Sequence, residues 1–193
     1  MPLTSDEDLV ERMAGGDTGA VRELYDRHGA ALYAYVVGRL REPELAEEVL
    51  QDVMLAAWNA AAQYRREGRV ISWLLAIAHR RAINAAVARS RRPEAPWNPD
   101  LDRVTPSTGH RRAEVRADVA SLIAGLPDEQ SATLELVFGQ GLTSAEIADV
   151  TGVTASTVRS RLRRALATLR ESLSDEGGGA GAARDDEGGK GEV

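Results

Sequence analysis

The 193-residue sequence contains no cysteine and only three histidines. The first absence excludes disulfides, thiolate metal ligands and redox sensing by a thiol, and the scattered histidines argue against a zinc site, so no cofactor is expected. There is no run of about 18 apolar residues that could cross a membrane. The amino-terminal residues are acidic, whereas a secretory signal starts with basic ones. We expect a cytoplasmic protein without membrane insertion.

Phenylalanine occurs once, and β-branched runs bounded by turn residues are scarce. The hydrophobic residues, 43% of the chain, are dominated by alanine and leucine, which favour helix over strand. A chain of this length suffices for one ordinary domain or for two small ones. The sequence therefore predicts an all-α fold.

Lysine also occurs only once, and the formal net charge of −6 is unusual for a protein that binds nucleic acid. Most of the excess lies after Leu173, where the chain has six acidic residues and two basic ones. The remainder of this segment is mostly Gly and Ala and cannot bury enough apolar surface to become ordered. We predict a disordered acidic tail, with a nearly neutral chain before it.

Residues 143–173 have the pattern of a helix-turn-helix. Thr143 and Glu146 form a capping-box pair at the start of a short helix. Gly152 suits the left-handed conformation that ends this helix, and Thr154 can cap the next one. The second helix has apolar residues at three-to-four spacing, namely Val158, Leu162, Leu166, Leu169 and Leu173.

The second helix of this motif is strongly basic, with Arg159, Arg161, Arg163, Arg164 and Arg170. The short polar residues Ser156, Thr157 and Ser160 lie near its start, where a recognition helix meets base edges. A cationic helix face can also be merely solvated. Here the arginines begin in the first two turns, where the helix dipole disfavours positive charge, so a phosphate partner explains them better.

A helix that begins near Pro43 has two different faces. Apolar residues recur at helical spacing on one side, at Leu45, Val49, Val53 and Ala56. The exposed remainder is acidic and amidic, with Glu44, Glu47, Glu48, Gln51 and Asp52. Spacing alone favours a solvated face for this second group.

The segment from Tyr64 to Arg69 breaks the helical pattern and is predicted to be a loop. A helix follows from Ser72, and its outward side is basic, with His79, Arg80, Arg81, Asn84, Arg89, Arg91 and Arg92. Bases stack on aromatic and guanidinium planes while cations follow the phosphates. This surface therefore favours single-stranded DNA. Trp58 and Trp73, at helical spacing among aliphatic residues, are interpreted as core.

Four of the seven prolines lie between Pro93 and His110, and no helical period is present there. This composition predicts a flexible linker. We divide the chain into two small helical domains at 1–92 and 111–173, joined by a linker at 93–110 and followed by a tail at 174–193. Trp97 in the linker marks either a docking contact or a residue that covers a neighbouring helix.

Three strings resemble one family, the sigma-70 family of bacterial RNA polymerase sigma factors. Residues 46–54, Ala-Glu-Glu-Val-Leu-Gln-Asp-Val-Met, resemble its polymerase-binding helix. Residues 73–78, Trp-Leu-Leu-Ala-Ile-Ala, resemble the start of the helix that reads the minus-ten element, and residues 157–165 resemble the minus-thirty-five recognition helix. With only the second and fourth conserved domains, the chain looks like a member of the extracytoplasmic-function (ECF) group.

The resemblance implies a non-enzymatic subunit that binds core RNA polymerase, recognises promoters and promotes DNA melting. The implied contacts with the β′ clamp coiled coil of core polymerase are Glu47, Glu48, Gln51 and Asp52. The implied minus-ten contacts are Tyr64, Arg65, Arg66, Glu67, Gly68, Arg69, His79, Arg80, Asn84, Arg89, Arg91 and Arg92, with the loop accepting a flipped base. The implied minus-thirty-five contacts are Ser156, Thr157, Arg159, Ser160, Arg163 and Arg164.

Further implied partners are the β subunit of the polymerase, promoter DNA in both duplex and single-stranded form, and an anti-sigma factor. Family members commonly have Asn where Arg80 stands and Asp where Asn84 stands, so the preferred minus-ten bases stay open. The alternative interpretation is a free-standing dimeric helix-turn-helix regulator. An enzyme has little support, because the sequence offers no nucleophile, base and orienting group together and no phosphate-binding loop.

Overall fold

A computed structural model describes residues 4–91, 122–123 and 125–179, with residues 175–179 described by their backbone alone. Within these ranges the chain is helical and contains no strand, which confirms the predicted all-α class. None of the described helices is long and apolar enough to span a membrane. The predicted linker and Arg92 lie outside the described residues.

The N-terminal domain consists of α1 (Asp6–Ala14), α2 (Thr18–Leu40), α3 (Pro43–Ala60) and α4 (Val70–Ser90), with a 3-10 turn at Ala61–Gln63 after α3. Ser5 and Asp8 form a capping box at the start of α1, and Pro43 occupies the first turn of α3, where its missing N–H costs nothing. The helices enclose a core that includes the fully buried residues Leu9, Leu24, Leu32, Val53 and Leu74.

The C-terminal domain contains the predicted helix-turn-helix. Helix α5 (Asp128–Leu134) continues into a π-helical turn (Glu135–Gly139) and is followed by α6 (Ser144–Thr151) and α7 (Ala155–Gly179). Thr143 and Glu146 form the capping box of α6, and Gly152 ends that helix with a φ of 72°. Thr154 Oγ1 accepts a hydrogen bond from the Thr157 N–H at 3.2 Å and so caps α7. The motif and its caps are confirmed.

A small separate core joins α7 to the preceding segment, through Leu126, Leu134, Ala165, Ile123, Leu162, Leu166 and Leu169. Leu173, which the periodicity places on the apolar face of its helix, is exposed by 55%, and Phe138 is exposed by 69%. Phe138 lies in the π-helical turn, whose wider turn shifts side chains off the 3.6-residue period.

Helix α7 continues to Gly179, past the predicted domain boundary at Leu173. The prediction of a disordered tail from Ser174 onward is therefore wrong for this short segment. An existing helix adds one backbone hydrogen bond for each residue that joins it, without a new nucleation step. The Ser174 hydroxyl also donates to the Arg170 carbonyl at 2.8 Å.

The two domains pack against each other. Leu142, Ile147, Val150 and Val158 of the C-terminal domain belong to the same buried cluster as the core of the N-terminal domain. The main contact is between α6, the first helix of the helix-turn-helix, and α4, and α5 also contacts α2. We call this arrangement the closed arrangement.

Candidate nucleic-acid and protein interfaces

The predicted polymerase-binding residues share one exposed face of α3. Glu47, Glu48, Gln51 and Asp52 are all exposed, whereas the residues between them pack into the core, as Ala46, Val49, Leu50 and Val53 do. The helical period of 3.6 residues produces this separation. The face carries three carboxylates and one amide, so it suits a basic partner surface.

An apolar groove of about 520 Å³ adjoins the far end of this helix. Leu55 and Tyr25 line it and are exposed by 60% and 47%, and Trp58 and Met54 lie beside them. Exposed apolar side chains at the edge of a charged face are typical of protein interfaces. Trp58, interpreted as core from the sequence, is only partly buried here, and no pattern in the sequence indicates that Tyr25 of α2 lies beside it.

The loop from Tyr64 to Arg69 is fixed by its own contacts. The Tyr64 ring packs on Trp73 with centroids 5.0 Å apart, and its hydroxyl donates to the Gly68 carbonyl at 3.0 Å. Gly68 has a φ of 94°, which the closed turn requires. Arg65 and Glu67 point outward and are exposed. Trp73 is only partly buried, because it packs against Tyr64 of the loop as well as against the core.

Two arginines of the loop already have partners. Arg66 donates to Glu11 Oε2 of α1 at 2.6 Å. Arg69 donates to the carbonyls of Gln140 and Gly141 at 3.2 and 3.3 Å, across the contact between the domains. Among the loop residues predicted to contact the minus-ten element, Arg66 therefore contacts α1 and Arg69 contacts the C-terminal domain. Arg65 and Glu67 face solvent.

The outward side of α4 is largely as predicted. Arg80, Arg81, Asn84 and Arg91 are exposed. Arg89 is exposed as well, but it forms an ion pair with Glu42 Oε2 at 2.5 Å. These residues form a basic surface on the side of the N-terminal domain that leads towards the predicted linker.

The prediction that His79 faces outward is wrong. Its exposure is 8%, and its Nδ1 lies 2.7 Å from the Tyr35 hydroxyl. The Thr151 backbone of α6 also hydrogen-bonds the ring. Burial, with the nearby charges of Arg39, Arg80 and Arg161, lowers the pKa of His79 to about 4. His79 is therefore neutral at physiological pH, and in the closed arrangement it contacts the other domain instead of solvent.

Further polar contacts cross between the domains. Ser72 donates to Glu146 Oε1 at 3.3 Å, and Arg41 donates to Asp128 Oδ1 at 2.8 Å. The contact between the domains thus has hydrogen bonds at its edges and apolar residues in its centre, as protein interfaces do. The N-terminal part of α4 is consequently covered by the helix-turn-helix, while its C-terminal part stays open.

Glu135 is an ionisable group at this contact that the sequence does not mark as special. It begins the π-helical turn, and its Oε2 would lie 3.4 Å from a Cβ placed on Gly38 of α2, which shows how closely the two elements approach. Burial raises the pKa of Glu135 to about 7, although the nearby Arg39 opposes the shift. Burial also raises the pKa of the neighbouring Tyr35 to about 12.

The predicted recognition helix presents its arginines to solvent. Arg159, Arg163 and Arg164 are exposed and Ser160 is half-buried. The hydroxyls of Ser156 and Thr157 lie 2.8 and 2.9 Å from Thr154 Oγ1, so they reinforce the cap at the start of the helix.

Arg161 differs from its neighbours on this helix. It pairs with Glu129 at the start of α5, and its side chain is only 20% exposed. The family resemblance implies that Arg161 turns aside to phosphate or solvent, whereas in the structure it pairs with Glu129 instead.

Comparison with known proteins identifies both domains. The family described as "Sigma-70 region 2" matches residues 24–92, and "Sigma-70, region 4" matches residues 122–171. The ECF RNA polymerase sigma factor SigK of Mycolicibacterium vanbaalenii is 32% identical over 181 residues, covering 90% of this chain and 92% of that protein. SigK of Mycobacterium tuberculosis is 32% identical over 183 residues, covering 89% and 95%.

Two solved structures are similar over most of the chain. CnrH, determined in complex with the cytosolic domain of CnrY, has a TM-score of 0.63 and 26% identity over 88% of this chain and 97% of that one. RpoE from Bartonella quintana, in complex with the anti-sigma factor NepR, shares the fold with a TM-score of 0.59 and 20% identity over 79% and 95%. The exposed acidic face of α3, the basic helix-turn-helix and these relatives together show that the chain belongs to the ECF group of the sigma-70 family of RNA polymerase sigma factors.

Proposed function

We propose that this sigma factor binds core RNA polymerase through the acidic face of α3 and anchors it to the minus-thirty-five element through α7. The observation that carries the proposal is that both faces are exposed at once, although the domains are packed together. The α3 face, with Glu47, Glu48, Gln51 and Asp52, offers charge and hydrogen bonds to a basic helical hairpin such as the β′ clamp coiled coil. Contacts with the β subunit would add to this surface.

Helix α7 supplies the duplex contacts. Arg159, Arg163 and Arg164 can reach phosphates or guanine edges, and the capped first turn points its N–H groups towards a phosphate. Ser156, Thr157 and Ser160 lie where short side chains meet the groove. Arg161 takes no part, because its guanidinium pairs with Glu129.

Opening of the duplex falls to the N-terminal domain. The loop at 64–69 accepts an unstacked base, and Arg80, Asn84, Arg89, Arg91 and Arg92 follow the displaced strand. Unstacking costs a few kcal/mol, and base stacking contributes about 1–3 kcal/mol per base in return. The protein carries out no chemical step of its own, and it acts in the cytoplasm with the polymerase.

The closed arrangement must open for both elements to be read. Elements separated by about 17 base pairs lie nearly 60 Å apart at about 3.4 Å per pair. The linker at 93–110 spans about 60 Å only when it is fully extended, at roughly 3.3–3.6 Å per residue. Opening also releases Arg69 and His79 from α6 and its preceding turn, which returns both residues to the minus-ten surface.

A partner protein can stabilise the closed arrangement. CnrH, which is similar to this chain, was solved with the cytosolic domain of CnrY bound to it. By analogy, an anti-sigma factor would cover the α3 face or hold the domains together. Since the chain has no cysteine, any redox-sensing thiol in this control would have to belong to that partner.

Transcription from purified components tests the proposal. Core polymerase alone should give no promoter-specific transcript, and addition of the protein should produce one. A variant with Glu48→Arg and Asp52→Arg should lose this activity and lose binding to core polymerase. The control variant Glu171→Arg, changed at an exposed residue of α7, should keep polymerase binding. If the protein instead shifts a palindromic duplex as a dimer and never stimulates core polymerase, the sigma-factor mechanism is refuted.

A further inference from the structure

A groove of about 770 Å³ lies between the start of α3 and the end of α4. Its volume falls in the range of about 300–1,000 Å³ that is usual for ligand pockets. The apolar part of its wall consists of Leu40, Leu45, Ala85, Ala86 and Ala88. Leu45 is only partly buried, and Ala86 and Ala88 are exposed. The small side chains of α4 therefore leave room for a large apolar group. We call this cavity the α3–α4 groove.

The rim of the α3–α4 groove is charged. Glu44 and Glu48 of α3 line it and are exposed, and Arg39 and Arg89 line it as well. Carboxylates accept hydrogen bonds, and guanidinium groups are attracted to the faces of aromatic rings. The indole of Trp matches both kinds of group, because its ring is the best partner for a cation and its N–H only donates. The groove thus has the chemistry of a tryptophan site.

Trp97 of the linker lies within reach of this groove. It follows Arg91, the residue directly after α4, by six positions. Six residues extend at most about 20 Å, at roughly 3.3–3.6 Å each. The groove starts at Ser90 and runs along α3 from Glu42 to Glu48, which is about 9 Å at about 1.5 Å per residue. The linker is therefore long enough to turn back and place Trp97 anywhere along the groove.

We propose that the α3–α4 groove holds the indole of Trp97 in the closed arrangement. The ring packs on the alanines of α4, and its N–H donates to the carboxylate of Glu44 or Glu48. An aromatic side chain of this size removes about 150–250 Å² of surface from water when it is buried. Pro93 and Pro96 precede Trp97 and have a fixed φ, so less conformational entropy is lost when this segment is ordered.

Docking of Trp97 shortens the part of the linker that can span a promoter. Residues 98–110 alone extend to about 45 Å, at roughly 3.3–3.6 Å each. Elements about 17 base pairs apart are separated by nearly 60 Å. Trp97 must therefore leave the groove before both elements are bound, a consequence that rests on the proposed function. Glu48 belongs both to the groove and to the proposed polymerase-binding face, so core polymerase bound there displaces the linker.

Fluorine nuclear magnetic resonance of the full chain labelled with 5-fluorotryptophan tests the docking. The chain has three tryptophans, and the resonance of Trp97 is the one that is lost in Trp97→Phe. A soluble nitroxide broadens the resonance of an exposed ring and spares that of a buried one. In the natural chain the Trp97 resonance should be spared, and in Ala86→Arg, which fills the groove, it should be broadened. Ala30→Arg, changed at an exposed residue of α2 that does not line the groove, is the matched control and should leave it spared.

Two results of this experiment would overturn the inference. The first is that the nitroxide broadens the Trp97 resonance in the natural chain, and the second is that Ala86→Arg leaves it spared. Both substituted alanines are exposed and helical, and Arg is a good helix former. The two variants should therefore keep the circular dichroism and thermal stability of the natural chain.

A reversible cross-link tests the consequence for transcription. Because the chain has no cysteine, the double variant Ala86→Cys, Pro96→Cys contains a single pair of thiols. When it is oxidised before core polymerase is added, it should lose promoter-specific transcription, and a reductant should restore the activity. The control pair Ala30→Cys, Pro96→Cys should transcribe under both conditions. Failure of the Ala86 pair to cross-link, or normal transcription by the cross-linked protein, would contradict the inference.

Failure of the proposed function is a separate result. The natural chain would then give no promoter-specific transcript with core polymerase. The resonance of Trp97 would still be spared in the protein alone, because docking depends only on the groove and the linker.

Discussion

Replacing Glu135 with Gln should change how the stability of the closed arrangement depends on pH. The pKa of Glu135 is about 7 in this arrangement and 4.5 in a free carboxyl. A raised pKa means that the folded chain binds the proton more tightly. Glu135 therefore contributes stability that is complete below about pH 4.5 and is lost as the pH rises through 7. At about 1.4 kcal/mol per pKa unit, the loss amounts to a few kcal/mol.

His79 acts in the opposite direction. Its pKa is about 4 in the closed arrangement and 6.5 in a free imidazole. Its contribution is complete above about pH 6.5 and is lost as the pH falls through 4, again by a few kcal/mol. Between about pH 4.5 and 6.5 the contributions of Glu135 and His79 to the free energy of unfolding change with pH in opposite directions and nearly cancel. The natural contact thus combines two buried ionisable groups with little net pH dependence.

The variant Glu135→Gln removes the pH dependence of stability that Glu135 contributes and keeps the one that His79 contributes. Its free energy of unfolding, minus that of the natural chain, should rise by about 1.4 kcal/mol per pH unit between about pH 4.5 and 7. Urea unfolding at constant ionic strength measures this difference, and His79→Gln should produce a slope of the opposite sign between about pH 4 and 6.5. If the Glu135 difference does not vary with pH, Glu135 is not buried against α2 near Gly38, and this contact of the closed arrangement is refuted.

Three other predictions concern function and local structure. Arg163→Ala should weaken promoter binding and reduce the slope of log affinity against log salt concentration by about one, if Arg163 neutralises one phosphate. Filter binding at several salt concentrations measures this slope. Binding of the variant to core polymerase is the control and should be unchanged. Deletion of six residues from the 93–110 linker should abolish initiation while each domain still unfolds cooperatively, whereas normal promoter output would contradict the spanning model. Gly152→Ala should destabilise the C-terminal domain by about 1–2 kcal/mol, because φ is 72° there, and thermal unfolding without a loss of this size would exclude strain at the turn.

The local features could be predicted from the sequence because local rules determine them. The capping box of Thr143 and Glu146, the turn at Gly152 and the acidic face of α3 each depend on residues within a few turns of one another. The ion pair of Arg161 with Glu129 could not be predicted in this way, because Glu129 belongs to a different helix.

The features that could not be predicted arise from contacts between distant parts of the chain. His79 has the spacing of an outward residue on α4, and it is buried because α6, more than 60 residues later, covers it. No feature of the sequence indicates that Glu135 has a raised pKa, because the side chain approaches Gly38 and Arg39 of another domain. Phe138 is exposed because it lies in a π-helical turn, and no residue pattern in this segment predicts such a turn.

Glu146 takes part both in the cap of its own helix and in the contact with the other domain. One of its carboxylate oxygens accepts from the Thr143 N–H at 2.8 Å, and the other accepts from Ser72 of α4 at 3.3 Å. When the domains part, only the second, longer bond breaks, and the capping box stays complete. Separation of the domains therefore leaves the start of α6 capped, and domain motions of this kind occur on the microsecond to millisecond timescale.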